Sequence, residues 1–577
     1  MKEIVFDIEA NGLKPDKIWC IVAKPLGEAV VSFGPDKIKE GIDYLKSADS
    51  LIGHNILGFD LPVIKKLYGV DFTKHKIKDT LVMSRLFNPV RENGHSLKTW
   101  GYIIGFPKDE QPEDWDCFSK DMLTYCQKDV VLNEKVYLRL LKEGENFDEE
   151  SVNLEHGVAT VLKDQEDIGF EFNQEYAMML VAQLKERMFQ VEKEVQQVFK
   201  PKMVDIKQVV PKRKKDGTLS KSGLTVEEYD RLIASGDYLP FMRQKLQPFN
   251  LGSRKQIGEY LTDFGWKPNR FTPTGQPIVD ESSLAKVKKI PEARLIAEFL
   301  LLQKRIAQID SWILSVQEDN RVHGFVIPNG TITGRMSHRA PNVAQVPSVV
   351  SEYGKECRSC WTVREGYKLV GIDASGLELR MLAHYMDDKE YTNEVTEGDI
   401  HTANQKAAGL KSRDQAKTFI YAFIYGAGDA KIGSVVGGGK KLGAELKQRF
   451  LDNNPSLKVL RERVSRAAKR GYLKGLDGRK IFIRNEHAAL NSLLQGGGAI
   501  VMKRALLMLN NLIQLQSLDA RFVANIHDEW QMEVREDITD FVGELAVRCI
   551  EDAGKYYNLR CPLTGEYKIG DNWSETH

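Results

Sequence analysis

FVANIHDEWQMEV, running from Phe522 to Val534, alternates apolar with small or polar side chains on either side of a polar centre. Phe522, Ala524 and Ile526 share a face before that centre, and Trp530, Met532 and Val534 share one after it, the period-two signature of two half-buried strands. The pattern is a hairpin. Its tip carries His527, Asp528 and Glu529 and lacks the Asn-Gly or Asp-Gly chemistry of a tight turn. An acidic hairpin end is more often a solvated turn than a ligand set. A metal-binding reading therefore needs another carboxylate.

YKLVGIDASGLELRMLAHYM, Tyr367 to Met386, supplies one. Lys368 to Ile372 reads as a strand ending at Asp373, Ser375 stands where an N-cap would be, and Leu377, Leu379, Met381, Leu382 and Tyr385 form a helical stripe. Two aspartates at two strand ends suit two-metal nucleotidyl transfer, in which one magnesium activates a primer hydroxyl and the other stabilises the leaving pyrophosphate. In order and spacing, GIDASGLELR and IHDEW resemble motifs A and C of the DNA polymerase I family (family A). The resemblance covers nearly the whole chain and is nearest to replicative polymerases of short-tailed T-odd bacteriophages.

That resemblance implies a multidomain α/β and α+β protein: a ribonuclease-H-like 3′-5′ exonuclease domain followed by a right-hand polymerase domain. The expected boundaries are exonuclease 1–140, thumb 141–320 with a short basic insertion near 200–247, first part of the palm 321–388, fingers 389–490 and second part of the palm 491–577. Asp373 and Asp528 would bind two Mg2+ ions, with Glu529 supporting them.

Composition agrees with a large globular chain. Its 577 residues are too many for one core and imply three or four compact units. A 42% hydrophobic and 28% charged content is ordinary, and no run approaches the length of a membrane span. MKEIVFDIEANG reads as a strand, because acidic residues interrupt the apolar run, so a cytoplasmic location is expected, in the host bacterium if the chain is phage-encoded. Seven scattered cysteines form no disulfide framework, and the Cys357/Cys360 pair lacks the further ligands of a zinc site.

The net charge of +1 conceals an uneven distribution. Residues 401–480 hold 18 Lys or Arg against 6 Asp or Glu, and residues 200–223 hold 8 against 2, so the remainder carries −17. Such local excess fits a phosphate backbone.

Three acidic motifs mark the first 140 residues. Asp7 and Glu9, two apart on a strand, face the same way. GHNILGFDLP contributes Asn55 and Asp60, and DMLTYCQKDVV contributes Tyr125 and Asp129 on one side of a helix. Their joint order resembles the family's exonuclease domain. It implies that Asp7, Glu9, Asp60 and Asp129 hold two divalent metals while Tyr125 orients the attacking water. Strands are expected near 3–8, 18–24 and 28–33, and helices near 38–47, 60–68 and 118–140, with a surface loop around Pro107 and Pro112.

In the middle, Leu154 to Lys200 reads as two helices broken at Gly169 and restarted after Asn173, with another helical block from Pro291 to Gln317. VVPKRKKDGTLSKSGL reads as a flexible, exposed, basic loop. The best-known phage relatives carry a longer insertion here that recruits thioredoxin for processivity; the shorter region in this chain argues against that partner. Ser253 and Arg254 open a helix that resembles thumb contacts to DNA. Thr333, Gly334 and Arg335 match the TGR motif, whose arginine reaches the minor groove, and Asn342 and Gln345 match the element after it.

In the polymerase half, Arg413, Lys417, Tyr421 and Tyr425 recur every four residues, as one drifting helical face. By resemblance this is the fingers helix: Arg413, Lys417 and His401 contact the triphosphate, Tyr421 stacks by the incoming sugar and Tyr425 packs against the templating base. Tyr421 implies little discrimination against dideoxynucleotides. By the same resemblance Glu378 falls at the position that closes the pocket over the sugar's 2′ carbon, which would favour DNA over RNA synthesis. Gln495, placed before a helix, and His527 complete the expected DNA contacts, with Gln495 reading the minor groove opposite Arg335. GSVVGGGKK lacks P-loop spacing and reads as a glycine-rich connection in the fingers.

The expected reaction is template-directed addition of dNTPs to a primer 3′ end with 3′-5′ proofreading. The expected partners are primer-template DNA and a replicative helicase-primase, with the chain a monomer. No 5′-nuclease segment precedes the exonuclease motifs, which favours a replicative role over repair. A single-subunit RNA polymerase shares the two-aspartate palm, but Glu378 and the complete exonuclease motifs argue against it. A non-catalytic nucleic-acid-binding subunit is opposed by the filled catalytic positions.

Overall fold

The structure, a computed structural model, describes residues 2–112 and 114–577, apart from the side chains of 281 and 282. It divides into two compact units, Met1–Asn173 with Ser315–His577, and Gln174–Leu314.

The first unit opens with a five-stranded sheet in the order Val31–Phe33, Ile18–Pro25, Glu3–Ala10, Ser50–Gly53, Lys76–Asp79. The first three pair antiparallel and the last two join in parallel. Alternation along Glu3–Ala10 sends Ile4, Phe6 and Ile8 into a core with Ile38, Ile42, Leu45 and Ile64. Val5 goes to the other face, against Trp100, Val130 and Val136. Asp7 and Glu9 share the parity of Val5, so they face helix Lys120–Glu143, which carries Tyr125 and Asp129. Strands Ser50–Gly53 and Lys76–Asp79 and helices Thr80–Phe87 and Leu97–Ile104 were not expected, since runs this short show little periodicity. The segment around Pro107 and Pro112 is irregular, as a loop should be; Glu113 within it lies outside the described residues.

The same unit holds a four-stranded antiparallel sheet in the order Ala520–Ile526, Glu529–Arg535, Tyr367–Ala374, Gly565–Gly570. Val370, Ile372, Met532 and Val534 are fully buried beneath it, together with residues of helices Ala489–Leu515 and Thr539–Tyr556. Gly496, Gly497 and Gly498 allow a close approach: a Cβ on Gly497 would stand 2.6 Å from Met381, and one on Gly496 2.5 Å from Ile481. Gln495 therefore lies inside this helix, where the sequence reading put it before one. Gly376, at φ 59°, is the N-cap of helix Leu377–Met386; the expected cap Ser375 makes no capping bond.

Helix Glu149–Ile168, expected in the thumb, belongs to this first unit: Leu154, Val158, Val161 and Leu162 are buried in the same core as Val370 and Met532. Amphipathic spacing identifies a helix but not the surface it covers. The remaining expected helix pair, Gln174–Val198 and Glu292–Ile313, packs within the second unit, where Arg187 pairs with Glu298.

The basic stretch at 210–224 in that second unit is an irregular and largely exposed connection, as its composition reads, but it is set within a small folded element. An antiparallel ribbon, Lys202–Val209 with Phe241–Gln247, is joined by a turn in which Lys214 N–H donates to Thr218 O, and by helix Val226–Ser235 with a Thr225/Glu228 capping box. Val209, Leu219 and Leu232 are buried. Val209 at the end of the first strand, Leu219 in the loop and Leu232 on the helix are the buried apolar residues here, so what the sequence reading missed is the pair of strands and the helix beside the loop, not the loop itself.

Candidate functional site

The palm site is set by strand register. Asp373 pairs directly with Glu529, and Ala374 N–H donates to the Asp528 carbonyl at 3.1 Å. His527 and Asp528 form the turn, His527 in the left-handed region at φ 58°, and Glu529 is already the first residue of the return strand. Burial, then repulsion from Asp528 and Glu529, raises the Asp373 carboxyl to about 7. Burial also raises Asp528. Carboxylates that repel one another in a buried cleft fit divalent cations.

Glu529 is different. Burial alone would push it up, yet His577 and Trp573 hold it below the usual range. Its oxygens accept from Trp573 Nε1 at 2.6 Å, Gln531 Nε2 at 2.7 Å and His577 Nδ1 at 2.9 Å. The GDNWSETH segment thus folds back as a clamp on the acidic cluster, a role its composition does not announce.

Facing the aspartates, Glu378 in the first turn of helix Leu377–Met386 accepts from Tyr425 OH at 2.9 and 2.8 Å and from Arg335 Nη2 at 3.2 Å. Arg413, Lys417 and Tyr421 lie on helix Arg413–Ile424, and Tyr425, its C-cap, still donates its N–H to Tyr421 O at 2.9 Å and so continues the expected face. The rings of Tyr421 and Tyr425 stack at 6.5 Å, and His401 lies 6.4 Å from Tyr421. Arg413 pairs with Asp399 at 2.7 Å, the residue that caps the helix carrying His401; Lys417 is exposed. Gln495 is half-buried. In the other unit, Ser253 caps helix Arg254–Asp263 by accepting from Gln256 N–H, and Arg254 donates to Val279 O at 3.2 Å.

The other acidic cluster sits on the five-stranded sheet. Ligand atoms of Asp7, Glu9 and Cys126 lie within 4.8 Å of one another. Asp60 opens helix Asp60–Tyr68 and accepts from Ile8 N–H at 3.1 Å. Burial is the largest cause raising all four carboxyls, and repulsion from Asp60, Glu9 and Asp129 adds to it at Asp7. One Asp129 oxygen is buried without a partner, and such a donor set fits divalent metal. Sequence reasoning missed Lys108. From the irregular loop it reaches Asp129 at 2.5 Å and lies 4.6 Å over the Tyr125 ring.

Residues 240–575 match the family described as DNA polymerase family A. The chain belongs to that family. It is 34% identical to a DNA-directed DNA polymerase of Enterobacteria phage T3 and 33% identical to one of Escherichia phage T7, each match covering 100% of both chains. It is also similar in fold to the POL domain of Pol1 from M. smegmatis, solved in complex with DNA primer-template and dNTP. That likeness has a TM-score of 0.79 and 18% identity over 99% of this chain and 95% of the other. Family A members use divalent metals, in keeping with both clusters. No helix among the described residues is long and apolar enough to cross a membrane.

Proposed function

We propose that this family A chain extends a primer at the Asp373/Asp528 cleft and trims mispaired 3′ ends at the Asp7/Glu9/Asp60/Asp129 cluster. Template-directed DNA synthesis is its function, as for its phage relatives. The observation that carries the polymerase reading is the strand register that sets Asp373 beside the Asp528 turn, opposite the Glu378–Tyr425–Arg335 group.

Asp373 and Asp528 would hold two Mg2+ ions, which when bound lower the cost of ionising the primer hydroxyl and of releasing pyrophosphate. Glu529, engaged by Trp573, Gln531 and His577, keeps its negative charge and fixes the strand pair. Arg413, Lys417 and His401 supply positive donors for the triphosphate. Glu378 blocks a 2′ hydroxyl, and the Tyr421 phenol stands in for a missing 3′ hydroxyl. Arg335 and Gln495 test base-pair shape through minor-groove acceptors common to all pairs.

At the nuclease cluster the four carboxylates would hold two divalent metals, and Tyr125 would orient water. Lys108 balances part of the charge on Asp129. The DNA-binding partners are primer-template and dNTPs, the chain acts as a monomer, and a helicase-primase opens the duplex ahead of it.

The test is extension of a primed DNA template by the purified chain with dNTPs or rNTPs, alongside single-strand excision, comparing wild type with Asp373→Asn and Asp7→Ala. Extension lost only in the first variant and excision lost only in the second are expected. Extension surviving Asp373→Asn rejects the palm assignment, and equal use of rNTPs favours the RNA polymerase reading.

A further inference from the structure

Two adjacent residues of helix Glu149–Ile168 reach toward different active sites. Glu155 is fully buried and accepts from Lys503 Nζ at 2.6 and 2.8 Å and from Arg479 Nη1 at 2.5 Å. Lys503 also donates to the Gly334 carbonyl at 2.7 Å and to Asn329 Oδ1 at 2.9 Å. Gly334, at φ 77°, is the left-handed residue directly before Arg335. Glu155 thereby anchors the turn that aims Arg335 at Glu378.

His156 faces the five-stranded sheet. Its Nδ1–H donates to Val152 O at 2.8 Å, which leaves Nε2 as an acceptor for Asp79 N–H, also at 2.8 Å. Burial lowers its basicity, in keeping with a neutral ring. The Asp79 carboxylate accepts from Asn55 N–H at 3.0 Å and Leu57 N–H at 3.1 Å, and caps the next helix through Leu81 N–H at 2.9 Å. Asn55 holds a left-handed φ of 67° in the loop that ends at Asp60. His156 is thus two steps from a nuclease carboxylate.

Neither residue lies within contact of the carboxylate clusters, and nothing in the motifs singles them out. Both bonds are enforced by burial. An unpaired Asp79 N–H, or Lys503 stripped of its main counter-charge, would be left in a site closed to water. Successive residues of a helix project about 100° apart and keep that relation rigidly. A single turn of helix therefore fixes the minor-groove turn against the Asp60 loop.

We propose that Glu155 and His156 are a shared pair of positioning residues, through which the geometry of the nuclease loop and the selectivity of primer extension depend on one another. This rests on the nuclease reading above. It predicts that altering His156, which touches no substrate, changes both excision and the polymerase's treatment of a mispaired primer end.

The test compares His156→Leu, which fills space without an acceptor, with His156→Gln, which restores one. Single-strand excision reports the nuclease loop, and so does Mn2+ binding by electron paramagnetic resonance when each variant also carries Asp373→Asn and Asp528→Asn to remove the palm sites. Both should weaken about tenfold in His156→Leu and return to within about threefold of wild type in His156→Gln. In an Asp7→Ala background, where excision is removed, the ratio of matched to mismatched primer extension should shift by about threefold in His156→Leu. A melting temperature kept near that of wild type in both variants separates positioning from general loosening.

Wild-type excision and Mn2+ affinity in His156→Leu would overturn the positioning role, as would equal loss in Leu and Gln. An unchanged extension ratio would overturn the coupling. If Asp7→Ala matches wild type in Mn2+ binding and excision, the nuclease reading itself fails. If Asp7→Ala loses both while His156→Leu keeps both, only the inference fails.

Discussion

The two carboxylate clusters differ in how their charge is managed. In the palm, Glu529 is held ionised by His577, Arg358 and Trp573, and only Asp373 and Asp528 are left raised. In the nuclease cluster all four carboxyls are raised, and Lys108 is the cation that reaches one of them among the described residues. The palm is pre-ordered by strand register and by Arg358, 3.8 Å away, and His577 beside Glu529; the nuclease cluster stores repulsion that cations must relieve. On the function proposed above, the contrast has a use: an extension site must keep its shape through every cycle, while a trimming site is needed only on demand.

The largest expected effects come from separating the two clusters. Asp528→Asn should lower primer extension about a thousandfold and leave single-strand excision intact, while Asp7→Asn should do the reverse. Loss of both activities in either variant would erase the distinction, and steady-state rates on matched and single-stranded substrates read it directly.

A smaller effect tests the pre-ordered wall of the palm. Glu378→Ala removes the group that Tyr425 and Arg335 fix, so ribonucleotide insertion should rise about tenfold to a hundredfold relative to dNTP insertion. Unchanged sugar selectivity in single-nucleotide assays would mean the wall lies elsewhere. Tyr421→Phe removes only a hydroxyl and should increase preference for dNTP over ddNTP about tenfold, read from competition between them during extension.

The smallest effect concerns stored repulsion. A carboxyl raised in the folded state contributes stability below its unfolded value near 4, and that contribution disappears as pH climbs through the folded value, about 7 for Asp60. In EDTA, wild type should therefore lose stability between pH 4 and 8. Asp7→Asn should melt about 2–4 °C higher than wild type at pH 8 and no higher at pH 4. Saturating Mg2+ should remove the gap. A gap that persists at pH 4 would show that packing, not charge, separates the variants.

Much of both clusters was legible because their ligands sit on short periodic elements. The parity of Asp7 and Glu9 follows from period-two alternation, and the same signal found the two strands around Asp528, although Glu529–Val534 is buried on both faces rather than half-buried and a register shift between Phe522 and Ala524 interrupts the first strand. The helix carrying Tyr125 and Asp129 is equally periodic. Lys108 was not legible, since a loop lysine shows no pattern until Asp129 and Tyr125 surround it. Nor was the ribbon at Lys202–Val209 and Phe241–Gln247, whose strands are largely exposed and bury only Val209, so no apolar alternation marks them. The period of four placed Tyr425 on the face of Tyr421, where it lies, but not the Glu378 carboxylate that its hydroxyl meets.

Sequence by itself determined the family, the acidic motifs, most long helices and the hairpin, because residue type and local period carry those signals within a few dozen residues. Only tertiary structure decided that helix Glu149–Ile168 packs in the palm core, that Trp573 and His577 clamp Glu529, and that Glu155 and His156, adjacent on one helix, meet different neighbours. Those contacts join residues far apart in the chain. Burial makes them obligatory, since each polar group must find a partner once water is excluded, but no local spacing records which partner that will be.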